Sequence, residues 1–173
     1  MAREKLPIPL PFEQIMQRHQ REILRYLLRL SGNGADAADL FQETWLRAYR
    51  AYPRLEPESE VRPWLYAIAI NLCRNRKRDR ARRARVIVVV EKKSPQPDRL
   101  GKAHHRGFSE NDGYAVVRMR ELIGSLPRKQ REALQLRCFA GLEFAEIAAA
   151  MDCSAQGARA NVSQAIRKIK SMW

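Results

Sequence analysis

Apolar residues recur with helical spacing through the first fifty positions of the chain. From Phe12 to Leu30 they predict a helix of about eighteen residues, which ends at the glycine-containing segment 31–34. A second periodic run follows, with carboxylates at its start that favour a helix N-terminus, and it should stop before Pro53. The apolar positions of this second helix are Leu40, Phe41, Leu46 and Tyr49.

A third periodic segment has an apolar half and a strongly basic half. Residues 54–62 have the composition of a loop, and Pro63 suits the first helical position. From residue 71 to residue 85 there are eight Arg or Lys and a single Asp. Helical spacing puts Asn71, Asn75 and Arg78 along one side, away from the apolar positions Leu65, Ile68 and Leu72. Amides that read base edges would lie beside cations that hold phosphates, which predicts a nucleic-acid-binding helix.

Residues 84–113 lose the helical periodicity and contain prolines and glycines among mostly polar positions. This stretch is therefore predicted to be a flexible linker between two domains. Its exception is the β-branched run Val86–Val90, which favours a strand although the sequence offers no partner strand. The role of this run stays open.

Beyond the linker, periodicity predicts four helices, at about 114–124, 127–140, 143–151 and 154–172. The last two are separated by a very short connection, with Ser154 as a helix N-cap. The final helix carries an apolar stripe formed by Ala158, Val162, Ala165, Ile166 and Ile169, which would pack on Ile147, Ala148 and Met151. Its other side stays free for DNA, as in a helix-turn-helix. The prediction is an all-α protein with two small helical domains, 12–83 and 114–173.

Charge and composition narrow the class of partner. The 173 residues carry a formal net charge of +14, and no apolar run approaches the length of a membrane span. The basic half of the third helix also lacks the broad apolar face of a lipid-binding helix. Nucleic acid is therefore the expected partner, ahead of an anionic membrane.

Cysteine and histidine usage points to no cofactor. Cys73, Cys138 and Cys153 form no CxxC pair, and His104 and His105 have no third ligand at a recognisable spacing. No metal site, cofactor or small-molecule substrate is expected. The start of the chain lacks an apolar core of signal-peptide length, and the expected location is a reducing cytoplasm.

Three motifs occur in order along the chain. They are DAADLFQETWLRA at 36–48, RPWLYAIAIN at 62–71, and LPRKQREAL at 126–134 followed by GLEFAEIA at 141–148. Together they resemble bacterial sigma factors of the extracytoplasmic-function group in the sigma-70 family. Residues 12–83 resemble sigma region 2, and about 115–172 resemble region 4. The resemblance implies a protein that binds core RNA polymerase, recognises promoter minus-ten and minus-thirty-five elements, and helps to open the DNA.

The resemblance also implies roles for individual residues. The positions matching the contact with the polymerase clamp are Asp39, Gln42 and Glu43. Those matching the minus-ten strand contact are Trp64 and Asn71, with Arg74, Asn75 and Arg78. The candidates for minus-thirty-five recognition are Arg159, Asn161, Gln164 and Arg167. The end of the basic tract, from Arg76 to Arg83, is expected to hold phosphates only.

Parts of the sequence depart from the family or allow other readings. Gly157 and Ala158 stand where a Thr-Val pair is frequent in the family, so the promoter sequence remains open. Asn161 falls near the packed stripe, and Trp64 could equally be a core aromatic residue. Proteins of this group are often held inactive by an anti-sigma factor, which is an expected partner here.

Three other classes of protein can be compared with the sequence. A stand-alone helix-turn-helix regulator is the main alternative, but it would leave the motif at 36–48 unexplained. An RNA-binding protein is a further alternative that the basic composition allows. An enzyme is not expected, because no phosphate-binding glycine loop, nucleophile elbow or metal-ligand cluster occurs.

Overall fold

The structure of the protein, a computed structural model, describes residues 11–31, 33–56, 59–90 and 110–173, with backbone only at 84–90 and 110–114. These residues contain α-helices, one 3-10 turn and no strand, which confirms the all-α prediction. The contacts divide the chain into two units, which meet in sequence at residues 103 and 104. The helices are α1 (Phe12–Ser31), α2 (Gly34–Ala51), α3 (Val61–Val90), α4 (Glu110–Ser125), α5 (Arg128–Phe139), α6 (Phe144–Met151) and α7 (Ala155–Met172), with the 3-10 turn at Tyr52–Arg54.

The first unit is built from α1, α2 and α3, each of which packs against the other two. At its centre the rings of Tyr26 and Tyr66 meet edge to face, with centroids 5.0 Å apart. The core face of α3 differs from the predicted one, because Tyr66, Ala69 and Ile70 are fully buried and Ile68 is only partly so. The apolar pattern predicted where the helix lies. Its buried face is wider than predicted because α3 packs against both α1 and α2.

The predicted core of α2 is partly wrong. Leu40 is buried, but Leu46 is 44% exposed and Tyr49 is 60% exposed. Trp45 and Ala48 take the inward positions instead. Tyr49 still contacts another aromatic side chain, since its ring lies 5.3 Å from that of Phe12. Leu46 and Tyr49 thus lie on the solvent-exposed side of α2 although both were expected in the core.

The N-terminus of α2 is closed by Asn33, which the sequence analysis treated only as part of a helix break. Its Oδ1 accepts a hydrogen bond from the Asp36 backbone N–H at 2.7 Å, and its Nδ2 donates to Asp36 Oδ2 at 2.6 Å. Asp36 is buried rather than solvated. The acidic start of this helix was predicted, whereas its capping residue was not.

Helix α3 extends beyond the predicted end of the first domain. It begins at Val61, so that Pro63 is its third residue, and its backbone remains helical through Val86 to Val90. The strand suggested by that β-branched run is therefore wrong. Extending an existing helix adds a hydrogen bond for each residue fixed, whereas a strand here would lack a partner.

The second unit contains the predicted helix-turn-helix. Helix α6 ends at Asp152, which adopts the left-handed conformation with φ 54°, and the Cys153 N–H donates to Ala148 O at 3.0 Å. Ser154 then caps α7, because its Oγ accepts a hydrogen bond from the Gly157 N–H at 3.0 Å.

The predicted stripe of α7 is only partly buried against α5 and α6, and Ile169 is half-buried. Ala158, Val162 and Ala165 are buried, whereas Ile166 is 41% exposed. Ile166 lies one residue, or about 100°, beyond the buried Ala165 on the helical wheel, which turns it out of the interface. Ile147 on α6 is fully buried, as predicted for the packing partner.

Candidate nucleic-acid interface

One side of α3 carries the residues predicted to bind a DNA strand. With about 100° of rotation per residue, Trp64, Asn71 and Arg78 lie within roughly 40° of one another around the helix. Asn71 and Arg78 are exposed, while Trp64 is half-buried. Arg74 Nη1 donates a hydrogen bond to Asn71 Oδ1 at 3.0 Å. Because the oxygen is the acceptor, the amide N–H groups of Asn71 take no part in this bond. The helix therefore presents a ring, an amide and cations on one side.

The basic tract does not point uniformly outward. Arg76 Nη2 lies 2.8 Å from Asp39 Oδ2 and 3.2 Å from Asp36 Oδ1, and Arg80 Nη2 lies 2.5 Å from Asp36 Oδ2. The role of Arg76 and Arg80 in holding phosphates stays a prediction, and the structure adds that both arginines pair with carboxylates of α2. A sequence shows eight cations but not which of them a buried carboxylate on another helix engages.

The electrostatics of this cluster favour the charged forms. Burial by itself raises the pKa of Asp36, but hydrogen bonds from Asn33 and Arg80 and the charges of Arg80 and Arg76 outweigh it and lower this pKa. The hydrogen bond to Asp39 is the main reason that the pKa of Arg76 is raised. The α2–α3 junction is thus held together by ionised groups at neutral pH.

An open groove of about 500 Å³ runs between α2 and α3. It brings Asn75, predicted to contact DNA, to the same groove as Asp39 and Glu43, predicted to contact polymerase. From the sequence, these residues were expected in separate sites. Residues of the predicted polymerase site and of the predicted DNA site therefore line the same groove.

The predicted polymerase-binding residues share the outward side of α2. Asp39 and Gln42 are exposed, and Glu43 is partly exposed and pairs with Arg47 at 2.7 Å. Leu46, one turn further along, extends the same side. Its helical spacing from Asp39 was visible in the sequence, but its apolar character made it look like a core residue.

A second polar cluster joins α1 to the start of α3. Glu22 accepts hydrogen bonds from His19 Nδ1 at 2.5 Å, from Arg62 Nε at 3.1 Å and from Tyr66 Oη at 3.4 Å. Burial raises the pKa of Glu22, but the hydrogen bonds from His19 and Arg62 and their charges outweigh it and lower this pKa. Because these groups come from α1 and α3, no single motif revealed them.

The outward side of α7 carries the residues predicted to read DNA. Arg159, Gln164 and Arg167 are exposed. Asn161 is only half-exposed and donates from Nδ2 to Gly157 O at 2.8 Å, within its own helix. Gln164 Oε1 accepts a hydrogen bond from Gln130 Nε2 on α5 at 2.9 Å. The side chain of Asn161 is thus bonded to the backbone one turn earlier in α7, and its role in reading DNA stays a prediction.

The described residues were also compared with the requirements of a metal site and of a membrane-spanning helix. Among them no group of three or more His, Cys, Asp or Glu side chains is arranged to hold a metal ion. No helix in the described ranges is both long enough and apolar enough to cross a membrane. Cys73 is buried, Cys138 and Cys153 are exposed, and all three are free thiols.

Both regions of the chain match known protein families. The family model for sigma-70 region 2 matches residues 15–83, and that for sigma-70 region 4 matches residues 117–169. The probable RNA polymerase sigma-C factor of Mycobacterium bovis is 34% identical over 155 residues, covering 88% of this chain and 78% of that protein. The RNA polymerase sigma-H factor of Pseudomonas aeruginosa is 30% identical, covering 89% of this chain and 81% of that protein.

A solved structure has the same fold. The sigma factor RpoE of Bartonella quintana, crystallised with the anti-sigma factor NepR, superposes with a TM-score of 0.71 at 21% identity, covering 92% of this chain and 94% of that one. The two family matches and the relatives define a transcription initiation factor. The chain belongs to the sigma-70 family, in its extracytoplasmic-function group. This membership favours a sigma factor over a stand-alone helix-turn-helix regulator.

Proposed function

We propose that the two units of this sigma factor bind different parts of the transcription initiation complex. Residues 12–83 bind the clamp of core RNA polymerase and the minus-ten element, and residues 114–173 bind the minus-thirty-five element. The observation that carries this proposal is the groove between α2 and α3, where Asp39 and Glu43 lie beside Asn75. Polymerase bound on α2 would therefore stand next to the DNA strand held on α3.

Opening of the promoter follows from selective binding of the single strand. Trp64 offers a ring on which an unpaired base can stack, and Asn71 offers an amide for its hydrogen-bonding edge. Arg74 and Arg78 hold the phosphates of that strand. Separating each base-pair step costs on the order of 1–2 kcal/mol, which strand capture offsets without ATP. Opening is then driven by preferential binding to the melted form.

Recognition of the upstream element rests on α7 of the helix-turn-helix. Arg159, Gln164 and Arg167 are exposed on one side of this helix, opposite the face that packs on α6. In such motifs the second helix enters the major groove, where Arg prefers guanine and Gln prefers adenine. Asn161 supports the backbone of the helix or contacts a phosphate, since its amide is bonded to Gly157 O.

The remaining partners follow from the same proposal. A sigma factor that acts on the chromosome works in the cytoplasm and needs no catalytic group of its own. The fold match to a sigma factor crystallised with an anti-sigma factor supports a similar inhibitor for this chain. Such an inhibitor would have to cover the polymerase-binding side of α2, the DNA-binding side of α3, or both.

Transcription in vitro with purified core polymerase tests this function. We expect start sites on genomic DNA that appear only when this protein is added, and the shared sequence upstream of them would give the promoter. Core polymerase alone is the control. A protein that binds promoter DNA equally well without polymerase, as a dimer on paired half-sites, would instead be a stand-alone regulator.

A further inference from the structure

Phe144, the first residue of α6, lies under two arginine side chains. The Cζ atom of Arg159 is 5.0 Å from the centroid of the Phe144 ring, and the Cζ atom of Arg137 is 5.1 Å from it. Both distances fall within the range at which a guanidinium is attracted to the face of an aromatic ring. Three helices, α5, α6 and α7, therefore meet at one ring.

The two arginines differ in their other contacts. Arg137 Nη1 lies 3.0 Å from Glu143 Oε2 and donates to Leu142 O at 2.9 Å, so its charge is compensated and its position fixed. Arg159 has no ion-pair partner among the described residues, and its contact with the Phe144 ring is the one that orients it. The charge of Arg159 thus remains available while its side chain is held.

Phe144 is separate from the packing core of the helix-turn-helix. On α6, the residues buried toward α7 are Ile147, Ala148 and Met151, whereas Phe144, at the start of the helix, is only half-buried. The ring of Phe144 therefore contributes little to this buried interface, and the contacts that distinguish it are those with Arg137 and Arg159.

We propose that Phe144 is a positioning residue for promoter recognition, which holds the guanidinium of Arg159 in the orientation that meets a base edge in the minus-thirty-five element. This inference rests on the proposed function of α7. Arg loses much side-chain freedom when it binds a base, and a side chain already stacked on a ring loses less. The ring therefore increases both the affinity and the selectivity of Arg159.

The test uses holoenzyme, assembled from core polymerase and full-length protein, on a promoter identified by the genomic transcription experiment. We expect Phe144→Leu to weaken binding about fivefold and to relax selectivity at the same base pair as Arg159→Ala. In the Arg159→Ala background, Phe144→Leu should cause no further loss. Phe144→Tyr keeps a ring of the same shape and should restore binding and selectivity.

Three results separate the possible failures. If Arg159→Ala weakens binding but Phe144→Leu retains full selectivity, the inference is overturned and the function of α7 stands. If the losses of the two variants multiply in the double variant, Phe144 acts independently of Arg159 and the inference is also overturned. If Arg159→Ala changes nothing, the role of Arg159 in minus-thirty-five recognition fails and the inference fails with it.

A measurement on the unmodified protein guards against misfolding of Phe144→Leu. The ring current of Phe144 should shift the side-chain proton resonances of Arg159 upfield in NMR spectra, and Phe144→Tyr should keep that shift. Resonances of Arg159 at the positions of a freely rotating arginine would overturn the proposal without any binding assay.

Discussion

Arg76 of α3 contacts Asp39 of α2, with Nη2 and Oδ2 2.8 Å apart. Arg76 lies on the helix that we propose binds DNA, and Asp39 lies on the helix that we propose binds polymerase. The ion pair lies at the surface, where Asp39 is 67% exposed and Arg76 is 33% exposed, so its own contribution to stability is small. Its position leads to a prediction: a polymerase cation bound to Asp39 would leave Arg76 with Asp36 as its remaining carboxylate partner on α2.

The carboxylates of α2 are predicted to be needed for assembly. Asp39→Ala with Glu43→Ala should weaken co-purification with core polymerase about tenfold, because both exposed acceptors on that side are lost. Glu13→Ala with Glu121→Ala makes the same change in net charge at other exposed positions and serves as the control. Equal co-purification of the two double variants would contradict the assignment of α2.

The asparagines of α3 are predicted to act in opening rather than in assembly. Asn71→Ala with Asn75→Ala should leave polymerase binding intact and lower the permanganate reactivity of promoter thymines severalfold, because the amides that hold an unpaired base are gone. Asn75 also lines the groove beside Asp39, so each single variant should be measured. Unchanged thymine reactivity in the double variant would remove the asparagines from the mechanism.

Asp36 is predicted to stabilise the first unit through its charge. Asp36→Asn should lower the free energy of unfolding by about 2 kcal/mol, because hydrogen bonds to a charged group are lost from a buried site. Thermal or urea unfolding at neutral pH measures this loss. Asp79→Asn removes a more exposed carboxylate that pairs with Arg82 and should have much less effect.

The contribution of Asp36 also predicts a dependence on pH. Its pKa in the folded protein is lowered, so the ionised carboxylate stabilises the fold above the pKa of the unfolded chain, near pH 4. This stability is lost as the pH falls through the folded-state pKa. The gap in stability between the parent and Asp36→Asn should therefore narrow below about pH 4. A gap that stays constant down to pH 2 would show that another property of the side chain is responsible.

Ser154 is predicted to stabilise α7, the helix that we propose binds DNA. Ser154→Ala removes the acceptor of the Gly157 N–H and should cost about 1 kcal/mol in unfolding of the second unit. Ser163→Ala replaces an exposed serine within the same helix and should be neutral or slightly stabilising. Equal unfolding midpoints for both variants would argue against the cap.

Much of the fold and part of the site could be predicted before any coordinates. Apolar periodicity is a local property, so it located the ends of the helices to within about four residues, apart from the C-terminal end of α3. The N-cap at Ser154 followed from its place before an apolar run. The family followed from three motifs in order. The exposure of Asn71 and Arg159 also agreed with the helical wheel.

Other features depended on contacts between residues far apart in sequence. Leu46 is apolar yet exposed, and Arg80 is basic yet bound to Asp36, because neighbouring helices decide which sides are covered and which charges are paired. The run Val86–Val90 is helical because α3 already existed to be extended.

For this protein, then, the sequence by itself determined the helices, the two units and the family, since each depends on local spacing or on contiguous motifs. Only the tertiary structure decided which cations of α3 pair with carboxylates of α2. It also placed the ring of Phe144 under Arg159, fifteen positions further along the chain. Such contacts form only when separate helices pack, because their partners are distant in sequence and adjacent in space.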